Sequence, residues 1–232
     1  MEEQLREQVA RGVAWSMAEK IGSMLSMTAV RLVILNLLEP RIFGCFAIPS
    51  AVAAVAMVVA DSGFSQNLIR RRDPGLRDYK AVFVFNMALS SVLYVLLALL
   101  APVAARYYGM PEIARIAPVF LLLLPLSSLC SVQNAIFTRQ FRFALLSKVN
   151  FLSSFVSGLA AVALAALGCG IWSLVAERLL AMGVRAALLW RFSDWHPSGR
   201  FSAAPLREMA PFSMSLMATD LISTLYNKLP QF

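Results

Sequence analysis

Lys20, Arg31 and Arg178 are cations set inside stretches otherwise apolar enough to cross a bilayer. A charge at that depth is costly, so it faces water, pairs with an opposite charge, or marks the path of a charged solute. Lys20 lies about 10 Å along a helix from Val13 and Arg31 about 27 Å, taking a rise of about 1.5 Å per residue. The two therefore offer an anion two stations at different depths. The alternative is local: Glu19 or a neighbouring helix neutralises Lys20, and Arg31 snorkels to the far interface. Arg178 is deep and needs a wet lining or a partner, Glu177 or Glu19. Arg185, two turns further on, is near enough to a helix end to snorkel.

These side chains need particular helices to present them. Ser16, Glu19, Lys20, Ser23, Ser26, Met27 and Arg31 fall on one stripe about 140° wide of a first helix whose opposite face is aliphatic. That helix is expected to meet lipid on one side and a wet interior on the other. A segment near the end, Leu206 to Lys228, carries Ser213, Ser215, Thr219, Asp220, Ser223, Thr224, Asn227 and Lys228, too polar to face lipid all round. In another, Ser154 and Gly158 form a small-xxx-small pair that favours close helix packing, and Ser127, Ser128 and Ser131 admit the same reading.

Of the 232 residues 59% are hydrophobic and 15% charged, against about a quarter charged in an average soluble domain. The net charge of +8 does not point to nucleic acid, because the basic residues lie mostly between apolar runs rather than on one soluble face. Measured against the roughly 20 apolar residues a spanning helix needs, the chain predicts an all-α polytopic membrane bundle of six transmembrane helices and an unfinished seventh. The expected spans are 13–38, 42–68, 81–107, 113–137 with a kink at Pro125, 145–167 and 171–190. The domain reading is a six-helix lobe at 1–190, a cytoplasmic linker at 191–205, and at 206–232 the first helix of a second, incomplete lobe.

Orientation follows from the Lys and Arg of the connections. Thirteen fall on one side, led by Arg70, Arg71, Arg72, Arg77 and Lys80, and only Arg41, Arg106 and Arg115 on the other. The N-terminus and the 61–80 stretch are therefore expected in the cytoplasm, with Arg70, Arg71 and Arg72 at its rim. Trp15, Trp190 and Trp195 would sit at the cytoplasmic interface. The N-terminus does not read as a cleavable signal peptide, since Glu2, Glu3 and Glu7 dilute its positive region.

Other chemistries lack their residues. His196 stands without metal-ligand spacing, and no glycine-rich loop joins a strand to a helix, so neither a metal nor a cofactor is implied. Asp61 and Asp73 could be an acid-base pair, but nearby arginines and expected solvent access favour plain charge balance. Cys45, Cys130 and Cys169 read as small buried hydrophobes. Cys45 and Cys169 share one predicted side, where a disulfide could join them.

Gly63 to Asp73, GFSQNLIRRRD, and Gly168 to Leu179, GCGIWSLVAERL, resemble the oligosaccharide flippases, or polysaccharide biosynthesis (export) proteins, of the multidrug/oligosaccharidyl-lipid/polysaccharide (MOP) transporter superfamily. SVQNAIFTRQFRF at Ser131 to Phe143, RFSDWHPSGRFS in the linker and PFSMSLMATDLISTLYN follow in order, so the resemblance covers essentially the whole chain. It implies an inner-membrane protein that moves an undecaprenyl-diphosphate-linked oligosaccharide outward by alternating access, through a cationic cavity between two six-helix lobes. The resemblance carries over no site at these positions; from their placement, Lys20, Arg31 and Arg178 would hold the diphosphate if their helices face inward, and Glu177 and Asp220 are weaker candidates for ion coupling. The chain departs from the pattern by supplying one lobe and the first helix of the second before Pro230, Gln231 and Phe232. It is expected to be a truncated product or a fragment of a longer one, and a partner lobe or a homodimer would then complete the cavity. Competing readings are a membrane polymerase or glycosyl transferase on the same lipid carrier, which would be expected to carry a larger extramembrane loop, and an inactive half-transporter.

Overall fold

The computed structural model describes residues 39–197 and 202–228, with isolated positions between 22 and 37. Lys20 and Arg31, and the linker residues 198–201, lie outside the described residues. The described chain is helical throughout: α1 (Pro40–Asp61), α2 (Phe64–Arg70), α3 (Leu76–Tyr108), α4 (Pro111–Phe120), α5 (Leu123–Arg139), α6 (Phe143–Ala166), α7 (Ile171–Phe192) and α8 (Ala204–Lys228). Four segments are long and apolar enough to cross a membrane: Ile42–Asp61, Leu76–Tyr108, Glu112–Arg139 and Phe143–Ala166. α7 has the length but spends Glu177, Arg178 and Arg185 inside it. The protein is thus an all-α membrane bundle.

Two expected spans are broken. The span predicted over 42–68 stops at Asp61, where Ser62 at φ 47° and Gly63 at φ 69° turn the chain into the short α2. Two successive left-handed residues cannot continue an α-helix, and Gly63 adopts that conformation without the steric cost a Cβ brings. The span predicted over 113–137 breaks at Leu121–Leu122 rather than at Pro125 itself. The cause is still Pro125, which lacks an N–H for the carbonyl four residues back and crowds it with its ring. That carbonyl is Leu121's, and it takes the Leu124 N–H at 2.9 Å instead.

The loop expected from Arg70 to Lys80 is shorter than its charge suggests. α3 begins at Leu76 and absorbs Arg77 and Lys80, because the Asp78 carboxylate accepts the Gly75 N–H at 2.9 Å and caps the helix start. At 33 residues α3 is about 50 Å long, well beyond a hydrocarbon core of about 30 Å, so it must tilt or protrude. Gly109, at φ 65°, ends it.

Packing joins α6 to α7 most extensively. A stripe at every fourth residue, Val149, Ser153, Ser157, Ala161 and Ala165, is buried with Gly158, and Val149 and Ala161 meet Ala186, Leu189 and Leu174 of α7. The small-residue packing read from Ser154 and Gly158 is realised on this seam, although Ser154 itself borders a cavity. A second core holds Phe64, Leu68, Val82, Val132, Trp195 and Met209. Trp195 was expected at the interface. It is buried, edge-on to Tyr79 and Phe83, and its carbonyl takes the Gln133 amide at 3.4 Å. The start of the linker is therefore fastened to the bundle. No disulfide is present: Cys45, Cys130 and Cys169 are free, and the buried Cys45 thiol lies 3.7 Å from the Met110 sulfur.

Candidate functional site

Arg178 and Arg185 are seven residues apart on α7, hence on one face, and both line a cavity of about 410 Å³. Phe46, Ser50 and Ala53 of α1, Phe120, Leu123, and Asn150, Ser153 and Ser154 of α6 complete its wall. The lining is an apolar pocket with two guanidiniums and a few hydroxyl and amide groups, a composition suited to an anion carrying polar substituents. Among the described residues no carboxylate stands within ion-pair distance of either arginine. Gly22 belongs beside this wall, since a Cβ there would be 3.9 Å from the Phe151 ring of α6.

Arg185 does not snorkel. It points inward and donates to the Asn134 side-chain oxygen at 3.2 Å, while its Nε is buried without a partner among the described residues. It also borders a second cavity of about 200 Å³, formed with Met57, Asp61, Ser127, Ser128, Ser131 and Asn134. Met57, Met182 and Arg185 are common to both, so the two cavities adjoin.

The second cavity corrects the reading of Asp61 as a solvated, arginine-balanced rim residue. Asp61 is the last residue of α1 and accepts the Ser65 hydroxyl and, at 3.1 Å, the Asn86 amide. Asn86 is wholly buried, and the Ser128 hydroxyl donates to its backbone carbonyl at 3.2 Å. Sequence reasoning passed over Asn86 because one asparagine in a 33-residue apolar helix carries no motif; its signal was the cost of burying an amide in a lipid-spanning segment. Asp73 is exposed and apart from this group.

Glu177 is half-buried beside Arg178 with no ion pair between them, and it is not among the described lining residues. Asp220 lies on α8 and accepts the Gln66 side-chain amide. The arginine run is divided in its partners. Arg70 sits 5.6 Å over the Phe212 ring; Arg71 pairs with Glu208 at 2.8 Å and Asp78 at 3.6 Å; Arg72 is exposed. The hydrogen bond that Arg71 donates to Glu208, with the nearby Asp78 charge, raises the Arg71 pKa above its ordinary value. Arg70 and Arg71 thus hold the end of α2 against α8, while Arg72 stays exposed.

One further residue was missed. Arg139 Nη1 donates to the carbonyls of Leu68, Ile69 and Arg71, and Nη2 to that of Arg72 at 3.0 Å. A cation at the negative end of α2 satisfies carbonyls that have no partner within the helix. The segments around Gly63–Asp73 and Ser131–Phe143 are therefore one physical unit.

The comparisons place this helical membrane bundle in a family. The family model described as "Polysaccharide biosynthesis protein" matches residues 33–232. The chain belongs to that family. Its relatives include the succinoglycan biosynthesis transport protein ExoT of Rhizobium meliloti (strain 1021), 26% identical over 213 residues, which covers 92% of this chain and 43% of the relative. The teichuronic acid biosynthesis protein TuaB of Bacillus subtilis (strain 168) is 26% identical over 173 residues, 73% of this chain and 36% of its own. The chain thus spans less than half the length of these curated relatives. No solved structure matches it.

Proposed function

We propose that this chain is the first lobe, and the start of the second, of a flippase that carries an undecaprenyl-diphosphate-linked oligosaccharide across the bacterial inner membrane. The observation that carries the reading is the cavity on α7, where Arg178 and Arg185 stand in a helix interior with no described carboxylate in reach. Two guanidiniums in a low-dielectric recess suit a diphosphate, whose oxygens take their paired donors, and Ser50, Asn150 and Ser154 suit sugar hydroxyls. Lys20 and Arg31 would extend the cationic path along the first helix. The printed name of the Rhizobium meliloti relative, a transport protein for succinoglycan biosynthesis, supports transport over enzymatic chemistry. The second lobe would come from the rest of a longer chain or from a second copy, with the N-terminus and the arginine run on the cytoplasmic side. Glu177 and Asp220 are the candidates for ion coupling, and Asp220 is the stronger because its carboxylate accepts the Gln66 side-chain amide across to α2.

The test is replacement of Arg178 by Ala in the whole gene product, with surface polysaccharide and membrane-inserted protein measured in the same cells. Surface polysaccharide should fall at least about tenfold while insertion is unchanged, and Arg178→Lys should restore part of it. Normal export by Arg178→Ala would overturn the reading.

A further inference from the structure

Around the broken end of α1, negative charge stands without an ion-pair partner among the described residues. Among the described residues the donors to the Asp61 carboxylate are neutral, the Ser65 hydroxyl and the Asn86 amide. Asp220, close enough for its charge to act on Asp61, receives the Gln66 amide as its donor among the described residues. Among the described residues no cation pairs with either carboxylate. Arg185 faces the same small cavity as Asp61, yet its hydrogen bond goes to Asn134.

Asn86 supplies a second, independent observation. It is wholly buried, its Nδ2 is 3.1 Å from Asp61 Oδ1 and 3.4 Å from both Ser65 Oγ and Ser131 Oγ, and its Oδ1 has no partner among the described residues. A buried carbonyl left unpaired costs about 1–3 kcal/mol, so such a group is expected to have a use. Rotating the amide by half a turn puts Oδ1 where Nδ2 now stands, beside the three oxygens of Asp61, Ser65 and Ser131. That arrangement is unfavourable alone and favourable around a positive ion.

We propose that Asp61, Ser65, Asn86 and Ser131 form a binding site for a hard monovalent metal cation of the sodium class. One carboxylate with three neutral oxygens supplies a single negative charge. Divalent ions are disfavoured, since calcium takes about 6–8 oxygen ligands and magnesium keeps a strict octahedron with its waters. The guanidinium of Arg185 across the cavity raises the cost of each positive charge bound there, which weighs twice against a divalent ion. α1 ends at Asp61, so the negative end of its dipole points at the site, and a helix interrupted inside a membrane protein is where cations are commonly held. Entry is through the 200 Å³ cavity, whose wall includes Asp61, Ser131 and Asn134. The binding claim is independent of the flippase reading; its use rests on that reading. A cation at Asp61 would alter the field on Arg185 in the substrate cavity and, through Gln66 and Asp220, the hold of α2 on α8.

The experiment uses the whole gene product in detergent at fixed pH and ionic strength. Its thermal midpoint is followed by tryptophan fluorescence as sodium chloride replaces choline chloride. The midpoint should rise with sodium and saturate, as it must when an ion binds only the folded state. Asp61→Asn, nearly isosteric, should abolish the rise. Ser131→Ala, which keeps the cluster's shape, should raise the half-saturating concentration at least about tenfold and provides the readout if Asp61→Asn does not fold. A flat wild-type response, or a rise unchanged in these variants, would overturn the site. A response to pH without one to sodium would also overturn it and assign a proton to Asp61. Arg178→Ala separates the two readings: it should keep the sodium response while losing export. If it exports normally and still responds to sodium, the cavity reading fails and the cation site stands.

Discussion

A Cβ on Gly63 would stand 2.5 Å from the carbonyl oxygen of Ser213, on a helix 150 residues further along the chain. The same Cβ would be 2.9 Å from that of Leu216 and 3.1 Å from the Met217 nitrogen. α8 therefore lies directly on the break between α1 and α2. Asn67 fixes it there, donating to the Met209 carbonyl at 3.1 Å and the Ser213 hydroxyl at 3.0 Å.

Gly63→Ala should accordingly undock α8. The obstructing atoms are backbone, which cannot rotate away, and the left-handed conformation is itself unfavourable for alanine. Overpacking of this kind costs about 1–3 kcal/mol, with about 1–2 kcal/mol more for the backbone. Limited proteolysis between α7 and α8 should be faster in the variant and the thermal midpoint lower. An unchanged digestion pattern would mean that the α8 contact is looser than the geometry requires.

Arg139 should be irreplaceable by lysine. Its guanidinium reaches four carbonyls from two nitrogens, a fork that a single ammonium cannot reproduce. Arg139→Gln should lose charge-assisted bonds worth about 1.5–3 kcal/mol each in favourable settings, reduced here because part of the contact is exposed. Arg139→Lys should recover less than half of the loss. Thermal unfolding of both variants checks the order, and equal stability of lysine and arginine would sink it.

The Arg71–Glu208 pair should matter far less. Glu208 is 65% exposed, and an exposed ion pair contributes about 0–1 kcal/mol and weakens with salt. The pH argument has a definite sign. A raised Arg71 pKa stabilises the fold below the unfolded value and is lost only as pH rises through the folded one, far above neutrality. Glu208→Gln should therefore change stability by no more than about 1 kcal/mol, with no Arg71-linked slope between about pH 6 and 9. Denaturation at several pH values in low and high salt is the measurement, and a steep slope across that range would refute the assignment.

What the sequence made legible were features carried by runs of residues. Apolar length gave the spans, and Gly109 and the Gly168–Gly170 hairpin gave their ends. Seven-residue spacing put Arg178 and Arg185 on one face. What it hid depended on single atoms and distant partners. The segment turns polar from Asp61 onward, but polarity alone does not show a break at Ser62–Gly63; the approach of α8, on a helix 150 residues away, explains the turn. Arg185 read as a snorkelling residue because its distance from the helix end was visible, whereas the Asn134 acceptor, 51 residues away, was not. Asp61 read as solvated because arginines follow it in sequence; in space Arg70 and Arg71 reach α8, and Asp61 is bonded to Ser65 and Asn86 instead.

Filling the cavity should stop export without unfolding the protein. Ser154 borders the 410 Å³ space between α1, α6 and α7, and its neighbours Ser153 and Ser157, not Ser154, are the residues buried in the seam with α7. Ser154→Phe would therefore project a ring into open volume rather than into a packed core, the circumstance in which a larger side chain is tolerated. The thermal midpoint should move by less than about 1 kcal/mol equivalent, while surface polysaccharide falls at least about tenfold. Ser154→Ala, which leaves the volume open, should export nearly normally. Export sustained by the phenylalanine variant would place the substrate path elsewhere than beside Arg178.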